Sequence, residues 1–522
     1  MSEPIIDPPT REPIERLSRR VLTSTVWNYV GTGGALLTWF LLTPFVVATL
    51  GTRQYGLFVI GLAVLGYAQL FGLGTSHAVT RFVSELHERG DLEGLRNVVA
   101  TAFVMAIALA STMILAGVAL APFAPRLFGV APDLVEATEG VMIAAGITAG
   151  TVFPVSTLFA VVSGLQRFDI TNMLQLMGTF LLAAFTIAAL VAGLGVAWVV
   201  AAGVPASLLA AVAAAIAIRR VAPELRLTSG RPRLSDVRRL LSFSWAIVFM
   251  QGAGLINART DEIVIAAALP VAQVTPYGLA RRASEAPTAM TFQFTRVIMP
   301  LSAQMGARDE HDRLRAVFLT GTRLTLATYL GAGVALVTLA GPFLAAWVGE
   351  EFRSAGTILA ILAIAGGVDM LVPTADSVLQ GISRHRPLAV CALISALLNL
   401  GMSIAFVGHF GLEGVAAATL IASVLLAAFT IPYSMRVLDV RPGELLREVL
   451  APVLVPLVPT AAVGVGIAVA LASSSLALVL LGGTAIVLTY FASYMAIGAG
   501  QVERELARRV LGSLSRRLRP VS

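Results

Sequence analysis

The sequence contains no lysine; all 37 of its basic residues are arginine. A Walker A phosphate loop and a Schiff-base nucleophile each need a lysine amine, so P-loop ATPase and imine chemistry are excluded within this chain. A single cysteine, Cys391, allows no internal disulfide. The five histidines (His77, His87, His311, His385 and His409) are too scattered to suggest a metal-ligand cluster. Charge is scarce too: 13% of the 522 residues are charged and 57% are hydrophobic, against roughly 25% charged in soluble domains. With a mean hydropathy of +0.85, such a chain belongs in a bilayer.

A hydrocarbon core about 30 Å thick needs apolar runs of about 20 residues. Fourteen such runs begin near Val21, Leu57, Val98, Glu139, Ile170, Val196, Leu240, Thr275, Leu314, Gly356, Leu388, Leu412, Val449 and Leu476. The polar first 20 residues, with Arg11, Arg16, Arg19 and Arg20, resemble a cytoplasmic tail. The apolar run from Val21 to Leu50 is longer than the core of a cleaved signal peptide, so the first helix is expected to stay in the mature protein.

Orientation follows from the arginines. With the N-terminus inside, 29 arginines fall in cytoplasmic segments and three, Arg53, Arg126 and Arg353, on the opposite side. Both termini are therefore expected in the cytoplasm and the protein in the cytoplasmic (inner) membrane. The pI of about 10.1 is then explained by topology and anionic lipid, and no nucleic-acid partner is needed. At the C-terminal end Leu506, Val510, Leu511 and Leu514 fall at helical spacing among arginines, as in an amphipathic helix lying on the inner leaflet.

The chain repeats itself. PFAPRLFG from Pro122 recurs as PFLAAWVG from Pro342, Tyr55-Gly56 as Tyr277-Gly278, GLQRF from Gly164 as GISRH from Gly381, and GLGVA from Gly193 as GLEGVA from Gly411. The offsets lie between 217 and 222, six helices apart. An even count makes the two halves enter the membrane in the same sense, as parallel transporter repeats do. The expected fold is an all-α integral membrane protein of about fourteen transmembrane helices, with two parallel six-helix repeats forming a V-shaped cleft and two further C-terminal helices. Its expected divisions are a cytoplasmic tail (1–20), a first lobe (21–220), a cytoplasmic linker (221–239), a second lobe (240–436), two additional helices (437–500) and a basic amphipathic tail (501–522).

VVATLGTRQYGLFVIGLAVLGYAQLFGLGTSHAVTRFVSE (46–85) resembles the opening helix pair of polysaccharide flippases in the multidrug, oligosaccharidyl-lipid and polysaccharide exporter superfamily. Its marks are a helix ending in LG, then YG, then a helix ending in GLG and an arginine-bearing cytoplasmic loop. TDEIVIAAALPVAQVTPYGLARRASEAPTAMTFQFTRVIMPLSAQ (260–304) is similar to the seventh and eighth helices of that family. It departs from the family pattern in the ALPVAQVTPY break before its tyrosine. The resemblance spans most of residues 20–435 and carries no catalytic signature. It implies a transporter, not an enzyme, that moves a polyprenyl-diphosphate-linked oligosaccharide across the membrane by alternating access for surface polysaccharide biosynthesis. Membrane lipids, a polysaccharide polymerase and glycosyltransferases are the implied partners. No cofactor is expected beyond a proton or sodium gradient.

Charges inside apolar helices cost about 2.5–3.5 kcal/mol each on insertion scales, so they should face a cavity or a partner. LINARTDEIVIAAAL (255–269) and GLARRASEA (278–286) concentrate them: Arg259, Arg281 and Arg282 against Asp261, Glu262 and Glu285. Measured from a turn near Ala272, Arg259 matches Glu285, Glu262 matches Arg282 and Asp261 lies near Arg281. The spacings from Arg259 to Glu262 and from Arg281 to Glu285 also put each pair on one helix face. One reading is an ion-pair ladder that neutralises the hairpin. The other has Arg259, Arg281 and Arg282 donating bidentate hydrogen bonds to the diphosphate of a lipid-linked sugar.

Asp369 in the tenth helix has no evident partner and is a candidate proton or sodium site alongside Asp261, Glu262 and Glu285, whereas Arg323 and Asp376 are expected to pair. Asn28, Gln69 and His77 suit interhelical hydrogen bonds, and Asn28 and Gln69 are also candidate substrate contacts. Two other functions remain open: a cation-coupled multidrug antiporter, and a non-transporting scaffold or scramblase in envelope assembly.

Overall fold

The computed structural model describes residues 14–225, 230–295, 298–471, 475–501, 503–505 and 508. Every regular element among them is helical, because a backbone in hydrocarbon must satisfy its own hydrogen bonds and helices do so locally. Helix α1 (Ile14–Glu88) consists of two rods that meet at Gly51. There φ is +69°, a value that glycine reaches without a Cβ clash. α2 (Leu92–Leu120), α3 (Val135–Gly164), α4 (Phe168–Val191), α5 (Val196–Ala201) and α6 (Gly203–Val221) follow.

The second half opens with α7 (Leu234–Ala268), α8 (Val274–Thr295) and α9 (Ile298–Gly306). It continues through α10 (His311–Thr338), α11 (Ala340–Val348), α12 (Gly356–Asp369), α13 (Val372–Gly381) and α14 (Arg386–Val437). α14 is again two rods, broken at Gly411 with φ +58°. α15 (Leu457–Ala470) and α16 (Leu476–Ser493) complete the chain.

Nine helices among the described residues are long and apolar enough to cross a membrane, or ten if α10 and α11, bent by 76°, form one span. The fourteen runs read from the sequence count the two rods of α1 and of α14 separately. They also include α7, of which residues 245–251, 253 and 255–258 have side chains outside the described residues, and α8, which Arg281, Arg282 and Glu285 make too polar to join that group. At the N-terminal end the helix already begins at Ile14, inside the tail expected over 1–20. The sequence ERLSRRVL is rich in good helix formers, so the first span extends backward into it. Residues 1–13, the side chain of Asn28 and the tail positions Leu506, Val510, Leu511 and Leu514 lie outside the described residues.

The repeat is visible in the backbone. Left-handed residues occur at Gly90 and Asp309, Gly129 and Gly349, Gln166 and Ser383, and Gly193 and Gly411, pairs separated by 219, 220, 217 and 218 positions. Each half therefore turns at the same steps. Within the halves, glycines let helices touch: a Cβ on Gly117 in α2 would lie 2.8 Å from the Cα of Gly146 in α3.

The halves meet at the end of the molecule that carries Gly51 and the α7–α8 turn, and again at the opposite end, where Phe82 packs on Phe243 and Glu85 pairs with Arg239. At the first of these ends Tyr55 and Tyr277 are both fully buried. A Cβ on Gly56 would collide with the carbonyl oxygen of Val271, and one on Gly278 would press on Val59, so each Tyr-Gly step seats against the opposite half. The Thr275 hydroxyl donates to the Thr52 carbonyl at 2.6 Å. Phe40 stacks on Trp347 at 5.3 Å between ring centroids, and Phe343 stacks on the same indole at 5.5 Å. The Trp347 Nε1–H donates to the Phe40 carbonyl at 2.9 Å. That carbonyl is free because Pro44, four residues on inside the same helix, has no N–H to offer it.

One expected pair is corrected. Arg323 does not bond Asp376. Its Nε and Nη2 reach Glu503 Oε1 at 2.7 and 2.6 Å, and its Nη1 donates to the Glu448 carbonyl at 3.0 Å. Asp376 instead accepts from Gln380 Nε2, one turn along its own helix, at 2.7 Å. Glu503 lies beyond α16, so the C-terminal segment folds back and outcompetes the carboxylate that similar depth in the membrane favoured.

Candidate functional site

The charged stretches of α7 and α8 lie where both rods of α1 approach the second half. Arg259 runs its stem across Gly66, whose missing side chain leaves the room; a Cβ there would sit 3.2 Å from Arg259 Cγ. One residue further along each helix, the Tyr67 and Thr260 hydroxyls hydrogen-bond. Arg282 projects from α8 toward the first rod, and its guanidinium carbon lies 4.7 Å from the Trp39 ring centroid.

Asp261 is completely buried and has a full complement of donors. Its Oδ2 accepts from the Tyr277 hydroxyl at 2.6 Å, from Thr419 Oγ1 at 2.9 Å and from Arg281 Nη1 at 3.4 Å. Its Oδ1 accepts from Ser403 Oγ at 3.2 Å. One carboxylate thus rivets α7 to α8 and to both rods of α14. Arg281 also reaches Glu285 through Nε at 3.3 Å. Glu262 is buried as well, but among the described residues its nearest ion-pair contact is a loose 3.9 Å to Arg259 and its Oε2 has no hydrogen-bond partner.

The ladder expected across the hairpin is therefore only partly present. Asp261 meets Arg281, but Glu285 goes to Arg281 in place of Arg259, and Glu262 goes to Arg259 in place of Arg282. Pairs within one helix need no fit between two helices, and they win here. Arg282 is left without a carboxylate within 4.0 Å among the described residues and rests on an aromatic face.

Asp369 ends α12 at the break before α13, half-buried, beside Ser423 and within electrostatic reach of Arg281. Gln69 and His77 are exposed on the second rod of α1. No group of three or more His, Cys, Asp or Glu that could hold a metal occurs among the described residues. Ser403, Thr419, Trp39 and Trp347 escaped the sequence reading; of these only Trp347 had a signal, the carbonyl that Pro44 frees.

Residues 21–306 match the polysaccharide biosynthesis protein family, more than half of the chain. The chain belongs to that family. Among its relatives is the probable low-salt glycan biosynthesis flippase Agl15 of Haloferax volcanii, 24% identical over 196 residues. That match covers 36% of this chain and 40% of Agl15, so it spans less than half of the relative's length.

Two solved structures share the fold. One is an inward-facing multidrug resistance MATE family transporter of the MOP superfamily, with a TM-score of 0.66 at 15% identity over 79% of this chain and 94% of that one. The other is the lipid II flippase MurJ in an inward closed conformation, with a TM-score of 0.66 at 14% identity over 90% of this chain and 98% of that one. This member of the polysaccharide biosynthesis family is thus a multi-pass helical membrane protein with the architecture of MATE and MurJ proteins.

Proposed function

We propose that the protein flips a polyprenyl-diphosphate-linked oligosaccharide across the cytoplasmic membrane, alternating access between its two halves. The observation that carries this reading is Arg282: a half-buried guanidinium at the junction of the halves that rests on the Trp39 ring with no carboxylate within 4.0 Å among the described residues, flanked by Arg259 in a loose 3.9 Å pair. A planar fork of donors in a low-dielectric setting suits a phosphate better than a neutral drug. Family membership and the flippase names of Agl15 and MurJ support the same class of cargo. Arg281 is the less suitable phosphate ligand, because Asp261 and Glu285 already occupy it.

The test is transport in proteoliposomes loaded with a fluorescent polyprenyl-diphosphate sugar. Arg282→Ala is expected to slow translocation at least tenfold and Arg259→Ala less, with the fold intact by thermal melting. Unchanged rates in both variants would remove the site assignment. Coupling to a proton or sodium gradient is a second element of the reading, supported by Glu262, whose buried Oε2 has no hydrogen-bond partner among the described residues. Glu262→Gln is expected to abolish acceleration by an imposed gradient while leaving downhill flipping measurable.

A further inference from the structure

Arg282 differs from its two neighbours in the nature of its resting partner. Arg259 and Arg281 each face carboxylates, and separating a buried ion pair is expensive because it strands a charge. Arg282 faces the Trp39 ring at 4.7 Å, a contact that is weaker and leaves no stranded charge when broken. The next residue, Phe40, carries the carbonyl that Pro44 leaves free and that Trp347 of the other half takes at 2.9 Å. Its ring also stacks on the same indole. The Trp39 carbonyl accepts from Thr43 Oγ1 at 2.7 Å, so the helical turn bearing both residues is tied down locally and moves as one piece.

We infer that Trp39 is a positioning residue that competes with the ligand phosphate for Arg282 and carries the arrival of that phosphate to the Phe40–Trp347 seal between the halves. When an anion draws Arg282 away, the turn at 39–40 loses the contact that holds it against α8, and the seal one residue further on loosens. This inference rests on the phosphate-binding reading above and adds the route by which binding opens the molecule.

The test uses the full chain in nanodiscs, with Cys391→Ser as background and spin labels at Thr49→Cys and Glu350→Cys, exposed positions on opposite halves at the sealed end. Farnesyl diphosphate is the probe and farnesol the control without a headgroup. In the reference protein the diphosphate, and not farnesol, is expected to lengthen the label distance and change tryptophan emission. Trp39→Leu, which keeps an apolar side chain but has no π face, is expected to bind the diphosphate about threefold to tenfold tighter, since Arg282 has lost its competitor. The label distance in that variant should nevertheless stay fixed.

Trp39→Phe should restore part of the distance response. A merely structural defect would weaken binding rather than tighten it. If Trp39→Leu binds as the reference does and widens equally, or binds more weakly, the role of Trp39 is overturned while the phosphate site stands. If the reference protein itself does not distinguish the diphosphate from farnesol, the phosphate reading fails and this inference falls with it.

Discussion

Asp261 shows how one residue can look like an ion site in a sequence and act as a fastener in a structure. Four donors from α8 and α14 converge on it, one of them the guanidinium of Arg281. Replacing the carboxylate with an amide would take from Arg281 its buried ion-pair partner and leave the more exposed Glu285. Asp261→Asn is therefore expected to cost roughly 3–5 kcal/mol, the range for breaking a buried pair, read as a lower unfolding midpoint in detergent. Glu285→Gln, at a side chain 42% exposed, should cost less than about 1 kcal/mol. The Asp261–Arg281 contact was legible, because the two residues sit at similar distances from a short turn. Ser403 and Thr419 were not, being 142 and 158 positions away and joined to Asp261 only by helix packing.

At the scale of elements, small residues decide how closely helices approach. α2 crosses α3 at Gly117 and Gly146, where a Cβ would come within 2.8 Å of backbone. Gly117→Leu should push these helices apart and lower the unfolding midpoint by the equivalent of about 1–3 kcal/mol. Gly178→Ala, in α4 with nothing within 4 Å of the added methyl, should be neutral or slightly stabilising. Hydropathy placed the apolar helices well, since bilayer thickness imposes their length. It could not foresee that α12 stops at Asp369, because that break depends on local backbone geometry.

For the whole molecule, a buried ion pair joins the segment after the last helix to the second half. Arg323 on α10 holds Glu503, which also accepts from the Tyr494 hydroxyl at 3.2 Å. The ion pair joins residues 180 positions apart, and hydropathy carries no information about such a contact; similar depth below the inner surface pointed to Asp376 instead. Arg323→Glu or Glu503→Arg alone is expected to destabilise by roughly 3–5 kcal/mol. The double reversal should recover most of that loss in the same melting experiment, whereas additive losses would show that the two side chains act separately.

The paired left-handed residues carry a consequence of another kind. Their separations of 219, 220, 217 and 218 positions change by at most three residues along the chain, and one residue more or less turns the rest of a helix by about 100°. Gly90 answers to Asp309 and Gln166 to Ser383, so side-chain identity has drifted at steps where handedness has not. After an ancestral duplication, the metre of the chain was kept while most of its words were rewritten. Unequal length changes inside these helices are therefore the lesions the protein should tolerate least.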